Sequence, residues 1–215
     1  SGIKELCTAA DLGTNACSEC PRLKRVEIRP GAVVINDAAF QDCPELEEVH
    51  LAPSLLKIGE DAFFGCGFIQ VVIPPSVLLI EDHAFGFLGD SENLSYYTHF
   101  TIHGKPGTAA ERYAQENSFA FVDDWTPSSQ VGSRQYHVTD RSSAKGDNDP
   151  RHFRIENGIL TQYTGDAQCV LIPDGVRKIG NNAFAWNSGL IRVVIPESTE
   201  SIGEGAFFGC LRLEQ

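Results

Sequence analysis

The chain has no methionine and only two tryptophans among its 215 residues. It begins Ser-Gly, which reads as an excised or processed piece of a longer protein. No uninterrupted apolar run is long enough for a membrane span, which needs roughly 18 or more residues. Positive charge is scarce. Lys and Arg total 17 against 29 Asp and Glu, a net charge of −12. The deficit is concentrated in residues 1–124, with 8 Lys/Arg and 19 Asp/Glu, while residues 125–215 hold 9 and 10. Nucleic-acid backbones and anionic lipid are therefore poor partners, because both require clustered cations. The G-x-S-x-G elbow of a hydrolase and the Gly-rich Lys loop of a nucleotide-binding site are both absent. Apolar residues at 42% and charged residues at 21% fit a folded chain.

What the sequence does contain is a repeat. Ala39-Phe40, Ala62-Phe63, Ala183-Phe184 and Ala206-Phe207 each follow an Ile by four residues, at Ile35, Ile58, Ile179 and Ile202. Ala39 and Ala62 are 23 apart, as are Ala183 and Ala206; Ala84-Phe85 follows at 22, and a degenerate Ala16-Cys17 precedes Ala39 by 23. A unit this short cannot bury its own apolar face, so it must stack on neighbours as one coil of a solenoid. In residues 46–66, Leu46, Val49 and Leu51 form an L-x-x-V-x-L strand, Pro53 stops it, and Ile58, Ala62 and Phe63 turn back inward. Related triplets occur at Leu23/Val26/Ile28, Phe68/Val71/Ile73, Tyr97/Phe100/Ile102 and Leu190/Val193/Ile195. The single missing residue of the 22-residue step lies between Cys66 and Phe68.

Four of the seven cysteines follow the same period. Cys20, Cys43 and Cys66 are 23 apart, and Cys210 sits four residues after Ala206 as Cys43 does after Ala39. These four are expected as buried free thiols in a column. The lone Cys17/Cys20 pair lacks a second pair at zinc-finger spacing.

The phrases IPDGVRKIGNNAF (172–184) and VIPESTESIGEGAFFGC (194–210) resemble the BspA-type leucine-rich repeat. The likeness covers residues 12–124 and 153–215. It implies a mainly β repeat solenoid and an extracellular or cell-surface setting, since that family is found mainly in bacterial surface and secreted proteins. Three parts follow. Residues 1–124 form one leucine-rich-repeat block, closed by a C-terminal cap with a helix over about 109–117. Thr108 and Glu111 supply a T-x-x-E capping box there, with Ala110, Tyr113 and Ala114 on one face. The segment resembles the terminal module of such arrays. Residues 125–150 are a polar linker in which Tyr136–Thr139 could form a short strand. Residues 151–215 start a second block, opened by a hairpin at Asn157-Gly158 and truncated at its C-terminus. An open final coil is expected there, free for end-to-end self-association.

Catalytic chemistry is hard to place. His99 and His103 are four apart but lack ligating companions. Adjacent acids such as Glu47/Glu48, Glu60/Asp61 and Glu81/Asp82 read as solvated surface. The loop 146–150, GDNDP, lacks the spacing and final Glu of a calcium loop. No catalytic, metal or cofactor site is assigned. The residues flanking each central Val point outward, and stacked coils align them in a ribbon: Arg25/Glu27, Glu48/His50, Gln70/Val72 and Arg192/Val194. The expected function is a non-catalytic binding or adhesion module that offers this face to a protein or glycan. A spacer or assembly element, or an appendage of a larger secreted enzyme, is the alternative.

Overall fold

The structure, a computed structural model, describes residues 5–8, 11–89, 93–126 and 146–214. The expected strand at Tyr136–Thr139 and most of the polar linker lie outside the described residues. In chain order the first strands are β1 (Glu5–Thr8), β2 (Asp11–Leu12), β3 (Arg25–Ile28), β4 (Val34–Ile35), β5 (Glu48–His50), β6 (Lys57–Ile58), β7 (Gln70–Val72) and β8 (Leu79–Ile80). A short antiparallel pair, β9 (Phe87–Leu88) and β10 (Ser95–Tyr96), leads to β11 (Thr101–Gly104), helix α1 (Ala109–Glu116) and β12 (Ala120–Asp123). The rest carries β13 (Phe153–Glu156), β14 (Ile159–Tyr163), β15 (Cys169–Leu171), β16 (Lys178–Ile179), β17 (Arg192–Val194) and β18 (Ser201–Ile202).

These strands wind into a mainly β solenoid. Its back face is one eight-stranded ladder in the order β13-β14-β16-β18-β2-β4-β6-β8. The ladder runs through most of the chain out of sequence order. The coil containing β18 stacks on the coil containing β2, with Ile202 opposite Leu12. This corrects the expectation of an open final coil. Leu213 is fully buried, and Glu214 places its N–H on Ile191 O at 2.8 Å and its carboxylate 3.7 Å from Arg22. The chain's own N-terminal coil occupies the back-ladder edge and apolar face that the expected end-to-end contact would have used. One hydrophobic core joins all the coils.

The core is an aromatic column. Phe40 and Phe63 stack at 5.1 Å, Phe63 and Phe85 at 5.0 Å, Phe184 and Phe207 at 5.0 Å. Tyr163 extends the stack below Phe184, at 5.2 Å. Burying each such ring is worth about 1.5–3 kcal/mol. Beside the column run the thiols. Cys43 donates to Cys17 O at 3.3 Å, Cys66 to Phe40 O and Cys210 to Phe184 O, each at 3.2 Å. Cys17, Cys20, Cys43, Cys66 and Cys210 are buried and unpaired as disulfides. Burial pushes the Cys43 thiol up to about 12. Each Ala-Phe pair is held by two left-handed residues, such as Ala38 (φ 53°) and Asp42 (φ 57°), or Asn182 (φ 56°) and Trp186 (φ 61°). That conformation is costly for side chains other than Gly or Asn.

Both far ends are covered. Asn157 (φ 52°) and Gly158 (φ 79°) turn β13 into β14, which pairs with β16. Beside them, Asp147 accepts from Tyr163 Oη at 2.6 Å and lies 2.7 Å from His152 Nδ1; Asp149 accepts from the Arg151 N–H at 3.0 Å. The oxygens of this acidic loop thus serve to fasten the hairpin. At the other end, α1 buries Ala109, Ala110, Tyr113 and Ala114. Tyr113 Oη accepts from Phe85 N (2.9 Å) and donates to Phe85 O (3.0 Å), standing in for the backbone of a further coil. The expected capping box does not form as such. Glu111 reaches back to Gly107 N at 2.8 Å, but the Thr108 hydroxyl donates to Lys105 O at 2.6 Å and so does not cap the helix.

Candidate functional site

The longer strands form the front face, and this face is not continuous. It divides into β1-β3-β5, β7-β11-β12 and β15-β17. In an intact step, the carbonyl before one strand takes two N–H groups from the next coil. Lys24 O accepts from Glu47 N (3.0 Å) and Glu48 N (3.3 Å), and Gln168 O accepts from Ile191 N (2.8 Å) and Arg192 N (2.9 Å). Between β5 and β7 no such ladder exists among the described residues. The cause is the missing residue. Cys43-Pro44-Glu45-Leu46 spends two residues between Cys and the strand triplet, but Cys66-Gly67-Phe68 spends one. Gly67 is forced against Pro44 O so closely that a Cβ would collide with it. The back ladder absorbs the same short step and keeps Lys57 opposite Leu79.

The opening is a groove of about 330 Å³. One wall is Glu47–Leu51, the other Gln70–Val72, with His103 and Asp124 at the far rim. Val49 is half-exposed, whereas its equivalents Val26, Val71 and Val170 are buried. The facing edges of β5 and β7 thus offer main-chain donors and acceptors over a partly apolar floor.

An ionic chain runs into this groove. Arg25 Nε donates to Glu48 Oε2 at 2.6 Å, and Glu48 Oε1 lies 2.6 Å from His50 Nε2. Partial burial alone would raise the Glu48 carboxyl. The hydrogen bond from His50 and the charges of Arg25 and His50 outweigh it and hold Glu48 below the ordinary carboxylate range. Across the groove, His103 Nδ1 lies 2.9 Å from Asp124 Oδ2. Each imidazole is therefore oriented by a carboxylate, and both carboxylates are already engaged. Such a site suits reversible hydrogen bonding to a polar chain. Among the described residues, no three His, Cys, Asp or Glu side chains converge as a metal would require.

Of the ribbon residues named from sequence, Glu48, His50, Gln70 and Val72 line the groove. Arg25 supports it from β3, and Glu27 lies farther along that strand, 3.4 Å from Arg29. Arg192 lies on β17, in a separate two-stranded piece. Val194 drops out of the surface because it is buried, at 7% exposure. His103 and Asp124 are additions. The triplet Tyr97/Phe100/Ile102, read with Phe100 as its centre, set His99 and Thr101 outward. The observed register instead places Ile102 opposite Val71 and His103 opposite Val72, which brings His103 to the face. Asp124 had no sequence signal, because the cap strand β12 brings it there through pairing with β11. His99 is exposed and outside β11, so it does not share a face with His103.

No curated protein matches the chain. Two solved structures are similar. One is a leucine rich cell surface protein from Faecalibacterium prausnitzii A2-165, with 22% identity over 95% of this chain and a TM-score of 0.33. The other is a leucine-rich repeat protein from Bacteroides ovatus ATCC 8483, with 18% identity over 98% of this chain and a TM-score of 0.34. The chain spans about half the length of each, 50% and 47%. Six copies of the BspA type leucine rich repeat region match residues 10–105 and 155–215. With its coils, aromatic column and thiol ladder accounted for by that repeat, the chain belongs to the BspA-type leucine-rich repeat family.

Proposed function

We propose that this solenoid is a non-catalytic binding module of a bacterial surface or secreted protein, holding a protein or glycan ligand in the groove between β5 and β7. The observation that carries this reading is the break in the front ladder. It uncovers main-chain edges and Val49 beside two carboxylate-oriented imidazoles, His50 and His103. The family's usual setting supports a surface location. No helix among the described residues is long and apolar enough to cross a membrane. Repeat solenoids bind through extended faces of this kind.

The test is binding of the purified chain to arrays of extracellular-matrix proteins and of glycans. A quadruple variant, Glu48→Ala, His50→Ala, Gln70→Ala and His103→Ala, is compared with the parent and with a distant Arg192→Ala control. Loss of array binding in the quadruple variant alone, at unchanged melting temperature, is the expected result. Binding that survives in the quadruple variant, or no binding by the parent, would favour a spacer or assembly role.

A further inference from the structure

The step from the β18 coil to the β2 coil joins residues 146–214 to residues 5–126 without a covalent connection through the stack. We propose that this junction is an exchangeable interface whose intermolecular partner is a second copy of this chain. The exchange concerns an occupied interface, not addition to an open end.

Three observations support it. First, the junction repeats the bonds of a continuous step. Gly13 N donates to Ile202 O at 2.7 Å, Gly205 N to Thr14 O at 2.9 Å and Phe207 N to Ala16 O at 2.8 Å. The continuous step above it has Cys17 N on Ala39 O at 2.7 Å and Asn15 N on Asp37 O at 3.0 Å. The thiol contact recurs too, with Cys20 Sγ 3.4 Å from Phe207 O. Nothing in this set of bonds depends on both halves belonging to one molecule. Second, the junction is where the ring stack is interrupted. Cys17 occupies the Phe slot between Phe207 and Phe40, so the ring–ring contacts of the neighbouring steps are replaced by a thiol. A stacked pair is worth about 0.5–1.5 kcal/mol beyond area burial, so this step is weaker than its neighbours. Third, each part carries its own cap at the far end, the β13/β14 hairpin on one and α1 on the other. Opening the junction therefore leaves one uncovered end on each part, and the two ends are complementary.

Connectivity permits the exchange. Residues 127–145 can span at most ~65 Å, and the eight-stranded ladder is roughly 34 Å across. Two chains can thus swap parts and close as a pair. Each composite solenoid keeps a groove, because the groove lies wholly within residues 47–124. The pair would be bivalent. Within one chain, the linker holds the two ends at an effective concentration of about millimolar, so the single chain dominates when dilute.

Complementary full-length variants test this. Gly13→Val places a side chain where a Cβ is already 2.7 Å from Glu204 N, spoiling the N-terminal side of the junction. Leu213→Asp puts a charge at a fully buried site on the C-terminal side. Each alone should run at monomer mass by light scattering, with fast amide exchange at Gly205, Phe207 and Gly209. A 1:1 mixture should run at twice that mass, with protection regained at those three amides in the Gly13→Val chain only. A mixture that stays at monomer mass with unprotected amides overturns the proposal. If either variant fails to fold, the parent chain decides. Refolded at about millimolar concentration it should yield a slowly dissociating dimer, and refolded dilute a monomer. Monomer under both conditions overturns the proposal.

Discussion

The back and front of this solenoid are built from the same coils, yet only the back is continuous. Eight strands pair without interruption behind, mostly two residues each, while the front breaks into three pieces. Both front breaks coincide with departures from the 23-residue step. One is the residue missing between Cys66 and Phe68, and the other is the junction between β17 and β1. Short strands flanked by turns tolerate a length change, because the turn restores the register. On the front, the missing residue falls directly before β7, between Cys66 and Phe68, where no turn is left to restore the register, whereas the longer step from Gln70 to Thr101 keeps its ladder. The open groove thus lies where the length change falls next to a front strand.

The thiol column lies behind both faces, so its titration should unsettle the whole stack. Cys43 and Cys210 are pushed by burial from 9.0 to about 12. Raised values mean that the neutral thiol favours the fold. Stability is then complete below pH 9 and falls as pH rises through about 12. The loss approaches ~1.4 kcal/mol per pH unit for each thiol. Melting temperature against pH checks this, and Cys43→Ala should flatten the fall. A smaller effect sharpens the contrast between covered and uncovered coils. Val26 and Val49 are register partners on adjacent front strands, but only Val26 is covered on both sides. Val26→Ala should cost about 2–3 kcal/mol and Val49→Ala about 1 kcal/mol. Denaturant midpoints would read the difference, and equal costs would deny that the groove uncovers Val49. The smallest effect tests a turn. Ala38 sits at φ 53°, so Ala38→Gly should stabilise by up to about 1 kcal/mol.

The coil itself was legible in the sequence. Phe40 and Phe63 stack because they are 23 apart, and Cys43 and Cys66 bond carbonyls one coil back for the same reason. Asn157-Gly158 announced its turn because only left-handed residues suit it. The stacking order was not legible. A repeat says that coils stack, but equivalent coils present equivalent faces, so nothing in the spacing told that Ile202 meets Leu12. The groove was half visible. The short step was plain in the sequence, but its effect depends on carbonyl–amide registry, which a one-residue count does not reveal. The triplet Tyr97/Phe100/Ile102 pointed to His99 and Thr101, and only the observed register, Ile102 opposite Val71, brought His103 to the face. Asp124 came only with the folded cap, and the burial of Val194 had no signal at all.

The most direct test restores the missing residue. Inserting Glu between Gly67 and Phe68, in imitation of Glu45, returns the step to the length seen between β3 and β5. Amide hydrogen exchange at residues 69–72 is the measurement. Slowed exchange there, with the β5/β7 ladder closed and array binding lost, is the expected result. Unchanged exchange at those amides in a folded insertion variant would contradict the link between repeat length and the open front face.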